Sequence, residues 1–181
     1  TQQLRRAFPE ETIFTIDGTQ TQFWFYEEAF PFTQPRTLLP STVFQSMGCS
    51  FNMAIGAKLA APDRPVVAAC GDGSFLMQIG EIPSAVHNGV ALVAVVYNNG
   101  WLNAIRHFQR LHMNGRTIGV RLPPTDYAAL ARVFGADGFR VEQPEQLGPA
   151  LEAARRATRL TVIDVVVDDM PLPHRWTMRA S

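Results

Sequence analysis

The sequence has few cysteines, no excess of either charge and no long apolar run. Two of its 181 residues are cysteines, Cys49 and Cys70, and neither has the CxxC or paired-histidine spacing of a zinc site, so reduced core thiols are favoured over a disulfide. Sixteen basic and sixteen acidic residues balance, which argues against a nucleic-acid or membrane partner. No apolar stretch reaches the roughly 20 residues that cross a bilayer. A soluble, cytoplasmic protein is expected.

Two common nucleotide-binding motifs are also absent. No strand is followed by GxGxxG, which argues against a dinucleotide site, and no GxxxxGK[ST] is present, which argues against a P-loop. The chain begins with Thr1 and has no charged-then-apolar signal pattern, so it is compatible with a segment of a longer polypeptide.

Apolar runs alternate with stretches of helical periodicity along the chain. Strands are predicted at 12–16, 36–40, 65–70, 91–97, 139–141 and 160–167, and helices at 48–61, 75–88, 125–135 and 144–157. Gly89 and Gly135 stand where helices should end, and Pro83 predicts a helix break near residues 80–83. Strands that are apolar throughout are typical of burial on both faces. The predicted fold class is α/β, a doubly wound, mainly parallel sheet with helices on both faces.

The segment "CGDGSF" (70–75) follows a predicted buried strand. Ligands of open parallel sheets bind where such strands end. Gly71 and Gly73 would let the backbone approach a phosphate, Ser74 offers a hydroxyl, and Asp72 offers an oxygen ligand for Mg²⁺. An ordinary turn is the alternative, because Asp-Gly steps are common in turns.

The next predicted strand ends in "VVYNNG", with Asn98 and Asn99. If the two strands are neighbours joined by a right-handed crossover, both loops emerge at the same edge of the sheet. The Asp72 carboxylate and an asparagine oxygen could then bind one Mg²⁺ ion, which prefers oxygen ligands and takes others from phosphate and water. A plain Asn-Gly turn is the alternative.

The pair "GDGSF" and "YNNG" resembles the thiamin-diphosphate binding motif, which begins with GDG and closes with NN. The segment "SMGCSFNMAIGAKLAAPDRPVVAACGDGSFLM" is similar to the diphosphate-binding domain of acetolactate-synthase-like enzymes, and "NNGWLNAIRHFQRL" resembles the benzaldehyde-lyase-like branch. The resemblance covers nearly the whole chain. It assigns residues 1–170 to the diphosphate-binding domain and leaves 171–181 as a C-terminal tail.

The resemblance implies a role for residues in four segments of this sequence. Asp72 and Asn99 would be side-chain ligands of Mg²⁺, with the Trp101 carbonyl as a third ligand. The thiamin diphosphate itself would contact Gln20, Thr21, Gln45, Met47, Gly71, Gly73, Ser74 and Asn99.

Three of these positions carry more specific expectations. Met47 would wedge between the two rings of the cofactor, and the Gln45 carbonyl would accept from its 4′-amino group, at a position where the family usually has glycine. Thr21 stands where the family has histidine.

No catalytic residue is expected within this chain. The resemblance implies a glutamate that contacts N1′ of the cofactor and lies on a separate pyrimidine-binding domain; Glu81 is a weaker substitute within the chain. A pyrimidine-binding partner, in a homo- or hetero-oligomer, is therefore expected. The implied activity is that of a C–C lyase or transferase, a decarboxylase or carboligase acting on a 2-oxoacid or 2-hydroxyketone.

Two other functions are considered beside this enzyme. A non-catalytic homologue could act as a scaffolding or regulatory subunit, and a subunit of a 2-oxoacid dehydrogenase would share the GDG and NN elements. Trp101, Leu102, His107 and Gln109 could line the substrate cavity or simply pack. The aromatic cluster at 23–26 is expected either in an interface or in the core.

Overall fold

The computed structural model describes residues 2–27, 32–41 and 43–169. Within them the strands are β1 (Ile13–Ile16), β2 (Leu38–Pro40), β3 (Val66–Gly71), β4 (Val93–Asn98), β5 (Asp137–Val141) and β6 (Thr161–Val166). They form one sheet of order β2-β1-β3-β4-β6-β5, and every pairing between them is parallel. The predicted fold class is confirmed, and each predicted strand is present with ends that differ by one or two residues.

Eight helices lie among the described residues. They are α1 (Gln2–Ala7), α2 (Gln20–Glu27), α3 (Ser50–Ala60), α4 (Asp72–Leu76), α5 (Ile82–His87), α6 (Asn103–His112), α7 (Tyr127–Val133) and α8 (Pro144–Arg156). The sequence at 75–88 does not form one helix. It passes from α4 through a 3₁₀ turn at Ile79–Glu81 into α5, with Pro83 in the first turn of α5, where a missing N–H costs nothing.

Local chemistry sets several helix ends. Asp126 begins α7, and its side chain accepts a hydrogen bond from the Ala129 N–H at 2.7 Å. Gly89 and Gly135, which follow α5 and α7, have positive φ angles of 62° and 89°, the region that glycine enters without strain. The expected helix stops are confirmed.

The core consists of two apolar layers, one on each face of the sheet. Along β3, Val66, Ala68 and Cys70 pack in the layer that includes α3, α4, α5 and α7, whereas Val67 and Ala69 pack in the layer that includes α1, α2 and α8. This alternation follows from the two-residue period of a strand. Helices therefore cover both faces, as a doubly wound sheet requires.

The direction in which the chain connects the strands changes between β1 and β3. The chain leaves β1 towards β2 on one side, and β3 lies on the other side of β1. The loops that follow β1 and β3 therefore diverge, which opens a crevice at the carboxyl ends of these two strands.

Several other expectations concern single segments. The two cysteines are free, and Cys70 is buried. Phe25 of the aromatic cluster is buried and packs on Phe14, with ring centroids 6.4 Å apart, whereas the side chain of Tyr26 and the tail at 171–181 lie outside the described residues. In the part of the chain that the structure describes, no helix is long and apolar enough to cross a membrane.

Candidate functional site

A cavity of about 120 Å³ lies at the crevice between the loops that follow β1 and β3. Its walls come from four segments: the start of α2, the loop before α3, the start of α4, and the loop that leads from β4 into α6. The lining residues are Gly18, Thr19, Gln20, Thr21, Met47, Gly71, Asp72, Gly73, Ser74, Tyr97, Asn99, Trp101, Leu102, Asn103, Ala104 and Ile105. The fold thus brings the GDG and NN segments together on one cavity.

Asp72 is buried at the start of α4, 4% exposed. Its Oδ2 accepts hydrogen bonds from the N–H groups of Asn99 at 3.0 Å and Gly100 at 2.6 Å, and its Oδ1 accepts from Gly73 at 2.7 Å. Burial raises the pKa of this carboxyl, and the backbone N–H donors oppose that shift. Among the described residues no cation pairs with Asp72, so a buried carboxylate faces the cavity with its charge balanced by backbone dipoles alone.

The loop after β4 holds Asn99 and Trp101 beside Asp72. The Asn99 Oδ1 accepts from the Trp101 N–H at 3.0 Å. Hydrogen bonds to a neighbouring segment hold this loop in place. The Leu102 N–H donates to the Val120 carbonyl at 2.8 Å, and the Leu122 N–H donates to the Gly100 carbonyl at 3.0 Å. The site is therefore shaped before any ligand binds.

Trp101 is also held through its ring. The guanidinium carbons of Arg106 and Arg121 lie 4.1 and 4.7 Å from the ring centroid. Cation–π contacts of this kind restrict the side chain, and with it the backbone of the loop.

The two glycines of the GDG segment have different surroundings. A Cβ on Gly73 would lie 2.6 Å from Leu102 Cδ2 and 3.2 Å from Leu122 Cδ1, so a larger residue would have to displace these two leucine side chains. A Cβ on Gly71 would meet only the Thr19 side chain, at 3.9 Å. The cavity is therefore open at Gly71 and closed at Gly73.

Thr19 was not singled out from the sequence, although it precedes Gln20 in "DGTQTQ". It lines the cavity, and its buried Oγ1 has no hydrogen-bond partner within the part of the chain that the structure describes. A buried hydroxyl without a partner is costly, so this atom suggests a ligand with polar atoms. The residue type alone gives no such signal, because threonine is common in loops.

Gln20 and Thr21 are buried on α2 and line the cavity. The Gln20 Oε1 accepts from Asn103 Nδ2 at 2.7 Å, which joins α2 to the start of α6. Asn103 was likewise not predicted as a site residue. The Ser74 hydroxyl accepts from the Gly48 N–H at 2.8 Å, which joins α4 to the loop before α3.

The loop before α3 places Met47 and Gln45 differently. Met47 lines the cavity, and its Cε would lie 3.7 Å from a Cβ at Gly73. Gln45 is exposed and is not among the lining residues. Its φ of 48° lies in the left-handed region that glycine favours, and its carbonyl lies against Gly18, where a Cβ would come within 2.1 Å. The backbone here keeps a glycine-like conformation without a glycine.

Three of the other candidates lie away from the cavity. Glu81 is exposed at the end of the 3₁₀ turn. His107 contacts Asp169, with Nε2 and Oδ1 3.6 Å apart, and the Gln109 Nε2 donates to the Ile118 carbonyl at 3.1 Å. Of the four residues expected to line a substrate cavity, Trp101 and Leu102 do so, and Asn103, Ala104 and Ile105, which were not predicted, also line it.

The oxygen atoms available at this site suit Mg²⁺ better than they suit a metal ion that is bound by protein side chains alone. No group of three His, Cys, Asp or Glu residues that could hold a metal is found within residues 2–27, 32–41 and 43–169. One carboxylate, one amide and one backbone carbonyl would leave positions for phosphate and water oxygens, which is how Mg²⁺ is usually bound. The orphaned Thr19 hydroxyl fits the phosphate part of such a ligand.

Comparison with known proteins places this fold and cavity in a family. The model of the family described as thiamine pyrophosphate enzyme, C-terminal TPP binding domain, matches residues 17–165; thiamine pyrophosphate (TPP) is another name for thiamin diphosphate. The chain is 34% identical to acetolactate synthase from Bacillus subtilis (strain 168), over 92% of this chain and 29% of that protein. It is 32% identical to sulfoacetaldehyde acetyltransferase from Castellaniella defragrans, over 91% of this chain and 28% of that protein.

A solved structure shows the same fold. The thiamine diphosphate-dependent 4-hydroxybenzoylformate decarboxylase of Rhodococcus jostii RHA1 superposes with a TM-score of 0.86 at 28% identity, over 93% of this chain and 32% of that one. This chain spans about a third or less of the length of these proteins. With the family match and the cavity at the GDG and NN segments, the chain belongs to the thiamine pyrophosphate enzymes, as a C-terminal TPP-binding domain.

Proposed function

We propose that this chain is the diphosphate- and Mg²⁺-binding part of a thiamin-diphosphate-dependent decarboxylase or carboligase that acts on a 2-oxoacid or 2-hydroxyketone. The observation that carries the proposal is the buried Asp72 carboxylate, which faces the same cavity as Asn99 and has no cation partner among the described residues. A divalent cation with a diphosphate would offset the cost of burying that charge.

The lining residues supply a contact for each part of the cofactor. Asp72, Asn99 and the Trp101 carbonyl would hold Mg²⁺, and the diphosphate would lie against Gly71, Gly73 and Ser74 on one side and Thr19, Gln20 and Thr21 on the other. Met47 would support the ring system from the loop before α3. Gln45 is the weakest of these assignments, because only its main-chain carbonyl is invoked and that carbonyl packs on Gly18.

In this proposal the residues of this chain bind the cofactor and hold it in position. When bound, thiamin diphosphate supplies the nucleophilic carbon and the electron sink for breaking or forming a C–C bond next to a carbonyl. The buried loops that hold Asp72 and Asn99 fix the diphosphate end, and the apolar Met47, Leu102 and Ile105 exclude water from the remaining cavity.

A partner domain is part of the proposal. The cavity of about 120 Å³ is smaller than the roughly 300 Å³ or more of typical small-molecule sites, which suits half of a site shared with a second domain. Glu81 lies outside the cavity, so we expect the glutamate that contacts N1′ of the cofactor to come from elsewhere. A pyrimidine-binding domain, in the same oligomer, would supply it. The relatives named as a synthase, an acetyltransferase and a decarboxylase support lyase or transferase chemistry.

Calorimetric titration of the chain with thiamin diphosphate and Mg²⁺ tests this proposal. We expect binding that depends on Mg²⁺, that tightens when a pyrimidine-binding domain is added, and that Asp72→Ala abolishes. Asp63→Ala is the matched control, since Asp63 is exposed and lies outside the cavity. Absence of binding with and without the partner domain would overturn the enzyme proposal.

A second candidate is a non-catalytic homologue that keeps the fold as a scaffolding or regulatory subunit. Thr21 in place of the family histidine and the exposed Gln45 in place of glycine favour it. The two candidates differ in the same titration, because a scaffold would bind the partner domain without binding thiamin diphosphate.

A further inference from the structure

A second buried carboxylate lies next to the cavity and takes no part in the proposed metal site. Asp17 directly follows β1 and has no exposed surface. Its Oδ1 accepts from the N–H groups of Cys49 and Ser50, both at 2.8 Å, and from the Cys49 thiol at 3.3 Å. Its Oδ2 accepts from the Ser50 hydroxyl at 2.7 Å and from Gln78 Nε2 at 3.4 Å.

These contacts stabilise an anion that has no ion-pair partner within the described residues. Two of the five donors are the N–H groups at the start of α3, an eleven-residue helix whose first turn would otherwise leave them unpaired. A charge buried in this way is tolerated only while its donors are in place. The carboxylate and the start of α3 therefore fix each other.

Three segments of the cavity wall meet at this carboxylate. Gly18 and Thr19 follow Asp17 directly, and Met47 lies two residues before Cys49. Gln78 connects to the third segment, because its Nε2 also donates to the Ser74 carbonyl at 3.2 Å. The Gly18 N–H also donates to the Ser46 carbonyl at 3.1 Å, which joins the segment after β1 directly to the segment that contains Met47.

We infer that Asp17 is a positioning residue that sets the Met47 loop, residues 45–50, against the GDG segment and so fixes the width of the cavity. Its consequence for cofactor binding rests on the proposed function. Asp17 does not line the cavity, so it acts through the backbone of Met47 and Thr19 rather than by touching a ligand.

Cys49 offers a reporter inside the loop. Burial raises the pKa of its thiol, the hydrogen bond with Ser41 opposes that shift, and the hydrogen bond to Asp17 and the charge of Asp17 raise the pKa further. The other titratable group near Cys49 is the Cys70 thiol, which is buried on β3. Alkylation of Cys49 as a function of pH therefore reports on its contact with Asp17, because the thiolate is the reactive form.

The test compares Asp17→Asn with Leu151→Ala in the full, ligand-free chain. Leu151 is buried in the other core layer, so its loss lowers stability without touching the Met47 loop. In Asp17→Asn we expect a several-fold faster iodoacetamide reaction of Cys49 at fixed pH, a lower pH midpoint, and faster hydrogen exchange at residues 48–50 with unchanged exchange in β3. Leu151→Ala should leave the Cys49 midpoint unchanged.

A wild-type Cys49 midpoint together with wild-type exchange at 48–50 in Asp17→Asn would overturn the inference. Ser50→Ala removes one hydrogen-bond donor to Asp17 and keeps the Asp17 carboxylate, so it should increase hydrogen exchange at residues 48–50 by less. This variant replaces Asp17→Asn in the test if Asp17→Asn folds poorly. The last readout is the affinity for thiamin diphosphate relative to magnesium pyrophosphate, which we expect to fall in Asp17→Asn. A wild-type chain that binds neither compound would contradict the proposed function and leave the loop readouts to decide the role of Asp17.

Discussion

Two single side chains, Asp72 and Thr19, each carry a buried polar group that indicates a ligand. Within residues 2–27, 32–41 and 43–169, Asp72 is a buried carboxylate held only by backbone N–H groups, and Thr19 has a buried hydroxyl with no partner. Both arrangements cost free energy in the ligand-free chain, since buried polar groups are normally paired. Their cost is offset if a cation and phosphate oxygens occupy the cavity.

Mg²⁺ binding should depend on pH through Asp72. Burial raises the pKa of this carboxyl above its ordinary value of 3.8, and Mg²⁺ binds the ionised form. As the pH falls towards that raised pKa, protonation competes with the metal, so the affinity for Mg²⁺ with thiamin diphosphate should decline before an ordinary aspartate would protonate. Calorimetric titrations at decreasing pH measure this decline. An affinity independent of pH down to 3.8 would contradict the assignment of Asp72.

Thr19→Val should have opposite effects on stability and on binding. The substitution removes a buried hydroxyl without a partner, so the free energy of unfolding of the ligand-free chain should rise by about 1 kcal/mol. The affinity for magnesium pyrophosphate should fall, because a phosphate donor is lost. Thr15→Val is the control. Its hydroxyl donates to the Ser50 carbonyl at 2.8 Å, so that change should lower stability by about 1 kcal/mol. Urea unfolding measures both, and a Thr19→Val chain that is less stable would count against an orphaned hydroxyl.

A helix and a strand approach each other closely where α7 crosses β5. A Cβ on Gly138 of β5 would lie 2.2 Å from the Ala128 carbonyl oxygen of α7, and Arg132 Nη1 donates to the Gly138 carbonyl at 2.7 Å. Because the obstacle is backbone, a larger residue cannot be accommodated by a rotamer change. Gly138 thus sets the distance between helix and sheet.

Gly138→Ala should therefore destabilise the fold by about 2 kcal/mol or more. Gly56→Ala is the matched control: Gly56 lies within α3 between Ile55 and Ala57, and beyond these neighbours and the helix backbone nothing stands within 4 Å of the Cβ it would gain, so alanine should stabilise the helix by about 0.5–1 kcal/mol. Thermal unfolding of the two variants should shift in opposite directions. Equal shifts would contradict the close approach of α7 to β5.

At the scale of the whole molecule, α6 buries its polar face and exposes its apolar face, which is the reverse of an ordinary surface helix. Its Asn103 and Arg106 are buried, and Arg106 pairs with Asp169 at 3.2 Å, whereas Ile105, Phe108 and Leu111 are more than half exposed. Exposed apolar faces of this kind mark interaction surfaces. This face begins at Ile105, which also lines the cavity.

Phe108→Ser together with Leu111→Ser should leave the free energy of unfolding of the chain within about 0.5 kcal/mol, because neither side chain contributes to the core. Binding of the apolar dye ANS should fall. Phe75→Ala is the control. Phe75 is fully buried and packs on Phe51 and Tyr127, so its loss should cost about 3–5 kcal/mol. A large loss of stability in the double variant would show that α6 packs differently.

The strands, the helix break at Pro83 and the convergence of the GDG and NN segments could be predicted from the sequence. Each depends on local periodicity, on a backbone preference, or on the rule that parallel strands end at one edge. The inverted α6 could not be predicted. Its ten residues contain both polar and apolar faces, and contacts from distant segments hold the polar face inward, among them Asp169 after β6, which pairs with Arg106 and Arg110.

The sequence by itself determined the fold class, the family and the meeting of the GDG and NN segments at one edge of the sheet, because these follow from local periodicity and from motifs carried within one βαβ unit. Only the tertiary structure decided that Asp17 joins three loops, that the Thr19 hydroxyl has no partner and that Gln45 lies outside the cavity. The physical reason is distance along the chain. Asp17 meets Cys49 and Gln78 across 32 and 61 residues, and no local pattern encodes contacts of that separation.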